Sequence, residues 1–508
     1  AEGNHSANAK ITIVSGTFNA MGTDGGAAVY NYGVADINGG KFVSNGGYGL
    51  NNQGTGEMTI DNADVRGGVY NVGTLTVDDS KVYQHLSGKH CIYNWKGSVT
   101  INGGEFDSES GNELILADGE NASVTINDGT FHKTAKSWLY GAATGKNITF
   151  TINGGTHYGY VNQPEMTVDT FRPYGDPIVV TGGSYNFDVT DWCLEDSKAS
   201  MNEETGLWEV VSKDYVAQIS DTKFESLQEA VDAADDGATI IFLKDVEQVD
   251  GVLITNKNNL TVDLNEKTFT VSEGANTNNR NFKISGSSVV TIKNGTMVAK
   301  GDIKSGTYGT VRTEDSANVI LNKVASYSYR GYGLNVKACT GTKITINDSE
   351  IYAQYSGGVE AAGGEIELNN VKIVQNGVDS SGAWCSVAIG VNGGGKVTVN
   401  SGEYSASAIS TDSNAAQGTW VAYVMSSGGT LDIKGGTFNG TVAETAAAAN
   451  ACGLICADTK AVVNIYEGTF TSNGAILDMR NNTGGLPNPV ATLYGGNFSA
   501  DPRISGLY

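Results

Sequence analysis

Proline is scarce in this chain of 508 residues, with six in all, and no run of eighteen apolar residues occurs. The first shortage excludes a proline-rich extended chain, and the second excludes a membrane-spanning helix. Glycine is abundant instead, at 68 residues, but it follows no three-residue period, so the chain is not collagen-like. Cations are few: 32 Lys and Arg stand against 55 Asp and Glu, a net charge of −23. Such an acidic surface repels phosphate backbones and anionic lipids, and nucleic acid is not an expected partner. The six cysteines show no Cys-x-x-Cys or Cys/His spacing and read as small buried hydrophobes. The five histidines form no zinc-binding pattern.

What is present is a phrase. "INGGEF" at 101–106 returns as "INGGKF" at 37–42, "INDGTF" at 126–131, "INGGTH" at 152–157 and "IKGGTF" at 433–438. Generalised to apolar-x-x-small-x-apolar, it opens at Ile13, Ile37, Ile60, Val77, Ile101, Ile126, Ile152 and Val180. It opens again at Leu264, Ile292, Leu321, Ile346, Leu368, Val399, Ile433, Ile465 and Leu493. Runs such as "SVTI" before it alternate with period two, as half-buried strands do, and the small residue turns the chain. A second phrase ("VYNYG", "LNNQG", "VYNVG", "IYNWKG") places Asn31, Asn52, Asn71 and Asn94 shortly before Gly. These asparagines are expected in the left-handed backbone of a second corner. No helix separates the copies, so each repeat is one coil of a β-solenoid, a parallel β-helix. Asn38, Asn102, Asn127, Asn153, Asn265, Asn322, Asn347, Asn369 and Asn400 follow the apolar residue directly and are expected to stack as an amide ladder.

The pattern breaks between 186 and 260, in a charged stretch poor in glycine. Leu227, Ala230, Val231 and Ala234 fall on one face of a short helix, with Gly237 just past its end. Open solenoid ends need lids. Residues 186–211 read as a closing lid and 213–237 as an opening one. The expected fold class is all-β: two right-handed parallel β-helices in tandem, residues 1–211 and 212–508, separated by a capping region with one short α-helix. "YVAQISDTKFESLQEAVDAADDGATIIFLKDV" resembles the opening segment, and "GGSYNFDVTDWCLEDSKASMNEETGLWEVV" the closing segment, of pectin-lyase-like β-helix modules in cell-surface proteins of gut Firmicutes. The resemblance implies secretion, bacterial surface display and an adhesin-like role.

The same superfamily holds polysaccharide lyases and glycosidases. The "NTD", "HG" and "RIK" motifs of its galacturonases do not occur here, and Asp78–Asp79 and Asp235–Asp236 suggest no carboxylate pair of suitable separation. No catalytic residue and no cofactor is expected. Glu350, Glu360, Glu365 and Glu367 lie on neighbouring coils, where calcium is the ion they could hold, although a solvated acidic face explains them as well. The longest interruption, 157–178, brings Arg172 but no motif. Tyrosines are the better lead. Tyr327, Tyr329, Tyr332, Tyr352 and Tyr355 are expected to form a partly exposed surface for a glycan or a surface protein. Smaller aromatic groups occur at Tyr93 and Trp95, Trp138 and Tyr140, and Tyr158 and Tyr160.

Three functions fit: a non-catalytic adhesin-like surface protein, a carbohydrate-active enzyme, and a subunit that packs end to end in a filament or sheath. The first is favoured, since the coils are short and no carboxylates converge. Aligning "GGSYNFDVTD" with "GGNFSADPRI" superposes Asp188 on Asp501. About twenty lid residues follow in the first domain but not in the second, so a truncated closing lid and further modules are expected there.

Overall fold

The alternating runs form strands that stack in parallel, one coil on the next. The structure, a computed structural model, describes residues 9–22, 25–162, 167–173, 175–272, 280–300, 309–329, 334–354, 357–376, 386–407, 419–441, 454–473, 475–480 and 485–502. Two compact units divide the chain, Ala1–Lys213 and Asp214–Tyr508.

In the first unit a coil gives one strand to each of three sheets. The first sheet runs from Lys10–Ile13 through Val34–Ile37 to Ile178–Val180. The second runs from Thr17–Ala20 to Ser184–Tyr185 and ends in the antiparallel strands Leu207–Ser212 and Ser197–Asn202. The third runs from Val29–Asn31 to Tyr140–Ala142. The apolar residue that opens each phrase lies in one register column, Ile13, Ile37, Ile60, Val77, Ile101, Ile126, Ile152 and Val180, and every member is buried. The glycine pair has a definite purpose. The second glycine takes φ near +100° (Gly104, 107°), and a Cβ there would sit 2.3 Å from the Ser80 carbonyl oxygen of the coil before. Only glycine turns this corner without strain.

Asn31, Asn52, Asn71 and Asn94 are not left-handed corner residues. Each stands third in a strand of the third sheet, with its side chain turned inward and buried. Each of the first three donates to the next, Nδ2 to Oδ1 at 2.8 Å, and caps backbone carbonyls at the corner. The expected outer amide ladder forms in part, while Asn265 leaves it to donate to the Phe242 carbonyl. Asn153 donates to Asn127 at 2.9 Å and Asn127 to Asn102 at 2.8 Å, while Asn400, Asn369 and Asn347 repeat the arrangement in the second unit.

The second unit has a 20-stranded sheet, with two strands from each coil, and a nine-stranded sheet from Val252–Thr255 to Leu477–Met479. Its column is Ile240, Val262, Ile292, Leu321, Ile346, Leu368, Val399, Ile433, Ile465 and Leu493. Two points differ from the sequence reading. Val262 rather than Leu264 pairs with Ile292, and Thr239–Phe242 already belongs to a coil. The helix Leu227–Ala233 is capped by Ser226, whose side chain accepts from the amides of Gln228 and Glu229. Its apolar side, Leu227, Ala230 and Val231, is buried, as is Ala234 just beyond. Gln228 fixes it to the solenoid by exchanging two hydrogen bonds with the Leu253 backbone. Among the described residues no helix is long and apolar enough to cross a membrane.

Candidate functional site

Two of the five expected tyrosines meet. Tyr327 and Tyr352 are in register on neighbouring coils, half-buried on the outer face of the 20-stranded sheet, with rings stacked at 4.8 Å and 5°. The Tyr352 hydroxyl donates to Glu350 at 2.6 Å, and that bond, with burial, pushes its pKa up to about 12. Lys372 lies 6.0 Å from the ring centre. The backbone of Tyr329 pairs with Gln354 in the same ladder. The Tyr329 side chain, Tyr332 and Tyr355 lie outside the described residues. Among the described residues the patch is a stacked pair with an ionic border.

A larger aromatic surface lies in the first unit, where the second phrase builds it. In "VYN" and "IYN" strand alternation sends Val or Ile and Asn inward and Tyr outward. Tyr30, Asn51, Tyr70, Tyr93 and Leu116 consequently share one outer column of the third sheet. Tyr48 joins from the loop before its strand. Ring centres lie 5.6 Å apart for Tyr48 and Tyr70, 5.5 Å for Tyr70 and Tyr93, and 6.3 Å for Tyr93 and Trp95. All four rings are half-buried. The Tyr93 hydroxyl donates to Asp118 at 3.0 Å, and Lys89 stands 5.2 Å from the Tyr48 ring centre.

Polar groups close one end of this row. His90 stacks on Tyr93 at 5.3 Å, and its Nδ1 lies 2.9 Å from the Glu113 carbonyl and 3.7 Å from the Glu113 carboxylate. Asn112 reaches His90 Nε2 at 3.4 Å. Arg172 lies 3.6 Å from Glu113 and 5.7 Å from the Trp138 ring centre. The interrupting segment 157–178 thus delivers Arg172 to the sheet face while Phe171 enters the core. Burial lowers the basicity of His90 and brings Lys133, bonded to the Ser110 carbonyl, down to about 8. Burial raises the tyrosine hydroxyls at 48, 70 and 93, which keeps them neutral donors.

Three of the four glutamates considered for a cation are divided among partners, and Glu365 stands in register between Lys343 and Lys396. Glu360 pairs with Lys337 at 2.8 Å on the nine-stranded sheet, Glu367 with Lys343 at 3.2 Å on the 20-stranded sheet, and Glu350 accepts from Tyr352. Among the described residues no three His, Cys, Asp or Glu side chains are grouped to hold a metal ion. Compared with protein-family models, with curated proteins and with solved structures, the chain finds no match.

Proposed function

We propose that this is a non-catalytic glycan-binding protein of the bacterial surface, built from two right-handed parallel β-helices, with the outer face of the first unit's third sheet as its binding surface. The observation that carries this reading is the row of Tyr48, Tyr70, Tyr93 and Trp95, one or two half-buried rings per coil, bordered by Asn51, Asp118, Glu113 and Arg172. Such rings offer apolar faces to the C–H side of a sugar, and the neighbouring amide, carboxylate and guanidinium groups offer partners to its hydroxyls. The resemblance of 182–211 and 215–246 to surface-displayed modules supports the location. The stacked Tyr327 and Tyr352 form a second, smaller surface of the same kind.

The test is an array of neutral oligosaccharides probed with the purified chain and with the double variant Tyr70→Ala/Tyr93→Ala. Removing two stacking rings should weaken capture about tenfold while leaving the melting temperature nearly unchanged. An unchanged array profile would remove the site from this face. One observation favours a second reading: Glu113 is a nearly buried carboxylate beside His90 and Arg172 at the end of the row. If the bound glycans gain reducing ends or unsaturated products, and Glu113→Gln abolishes them, an enzymatic role replaces the binding one.

A further inference from the structure

Charged residues stack in columns on the outer faces, and three of these columns alternate in sign from coil to coil. Lys41, Asp64, Lys81 and Glu105 lie in register, as do Lys343, Glu365 and Lys396, and Glu350, Lys372 and Glu403. At a strand spacing of about 4.8 Å, alternating charges attract and like charges repel. One column of the nine-stranded sheet departs from this rule. Lys283, Arg312 and Lys337 follow one another before Glu360 supplies a negative charge.

Two carboxylates offset these cations. Glu314 lies 3.0 Å from Lys283 and 2.8 Å from Arg312, and Glu360 lies 2.8 Å from Lys337. Among the described residues this outer column thus sets three cations against two carboxylates, in a chain whose net charge is −23. Lys283, Arg312 and Lys337 keep 44, 30 and 28 % of their side-chain surface exposed, within reach of a ligand. The surplus is local, accessible and periodic.

We propose that this column binds an anionic glycan, an extended polymer whose successive carboxylate or sulfate groups lie across Lys283, Arg312 and Lys337. Nucleic acid is the weaker candidate, because duplex binding commonly draws on about 6–10 phosphate contacts and the rest of this chain repels them. The site lies in the other unit from the aromatic face and uses charge rather than stacking, so either can fail without the other.

Affinity electrophoresis of the full chain at 0.15 M salt tests it, with hyaluronate, heparin, neutral dextran and duplex DNA as the gel-embedded polymers. Retardation by hyaluronate or heparin but not dextran is expected; retardation by hyaluronate, whose only anions are carboxylates, shows that carboxylate suffices, and retardation by heparin alone assigns sulfate. Lys283→Gln/Arg312→Gln should weaken that binding at least tenfold. This variant leaves the Lys337–Glu360 pair intact, and circular dichroism checks its fold. Lys343→Gln/Lys396→Gln removes the same charge from an alternating column and should change binding less than twofold. Equal weakening by both variants, retardation by dextran, tighter binding to DNA, or no retardation by either anionic polymer overturns the proposal.

Discussion

At one step of the aromatic column a histidine stands where its neighbours have Phe or Tyr. Phe106, Phe131, His157 and Tyr185 stack in sequence at 4.8, 4.9 and 4.6 Å. The His157 ring is fully buried, with Nδ1 at 2.7 Å from the Tyr140 hydroxyl and Nε2 at 3.0 Å from the Gly154 carbonyl. Burial lowers its pKa to about 3, so the folded state holds it neutral. The unfolded chain binds a proton near pH 6.5, and between that value and about 3 it therefore holds more protons than the folded one. Stability attributable to His157 is intact above the unfolded pKa and falls as pH drops through that window, by up to roughly 1.4 kcal/mol per pH unit. His157→Phe completes the hydrocarbon stack but strips Tyr140 of a partner, which costs about 1–3 kcal/mol at neutral pH. Chemical denaturation at pH 7.5, 6 and 5 should show the variant less stable at the first value and closing the gap at the last. His90, also held neutral by burial, keeps its own share of the acid sensitivity in both proteins. Parallel pH profiles for the two would remove His157 from the account.

The strands carry two amide ladders of equal geometry and unequal consequence. Asn71 is buried, accepts from Asn52, and donates to Asn94 Oδ1 and to the carbonyls of Gly73 and Ser98. Asn127 makes the same side-chain bonds in the outer ladder while exposed to solvent. Water replaces lost bonds outside but not inside. Asn71→Ala should therefore cost about 3 kcal/mol and Asn127→Ala about 0.5–1 kcal/mol, read from denaturation midpoints. Similar losses would show that burial does not set the worth of these ladders. The inner ladder was hard to read because Asn near Gly is a strong turn signal, yet here φ stays negative and strand alternation turns the amide inward. The apolar column was legible because a core on one side of each strand forces period two. That signal failed at Leu264, where "LNEKTF" lacks a glycine pair and the corner is made by Asn265 and Glu266 at φ 49° and 61°, three and four residues beyond Val262. Tyr327 and Tyr352 were legible by the same alternation. The meeting of His90, Glu113 and Arg172 was not, since three different coils supply them and no local spacing encodes which coil lies beside which.

Across the whole molecule the acidic surface and the basic column act at different ranges. Exposed charges interact over about 30 Å at 0.01 M salt, 8 Å at 0.15 M and 3 Å at 1 M. At the lowest salt a polyanion approaching Lys283, Arg312 and Lys337 also feels carboxylates tens of ångströms away, and with a net charge of −23 their sum is repulsive. Near 0.15 M that distant repulsion is screened while the cations in contact still attract. Near 1 M the contact attraction weakens as well. The association rate of hyaluronate, measured by stopped-flow or surface resonance, should consequently rise from 0.01 to 0.15 M salt and fall again toward 1 M. Binding of a neutral oligosaccharide at Tyr70 and Tyr93 should change less than twofold across the same range, because stacking carries no net charge. A rate that falls steadily from the lowest salt would mean that the column alone governs approach. The charge of the remaining surface would then have no part in selecting what the second unit binds, and the proposed balance between local attraction and global repulsion would be lost.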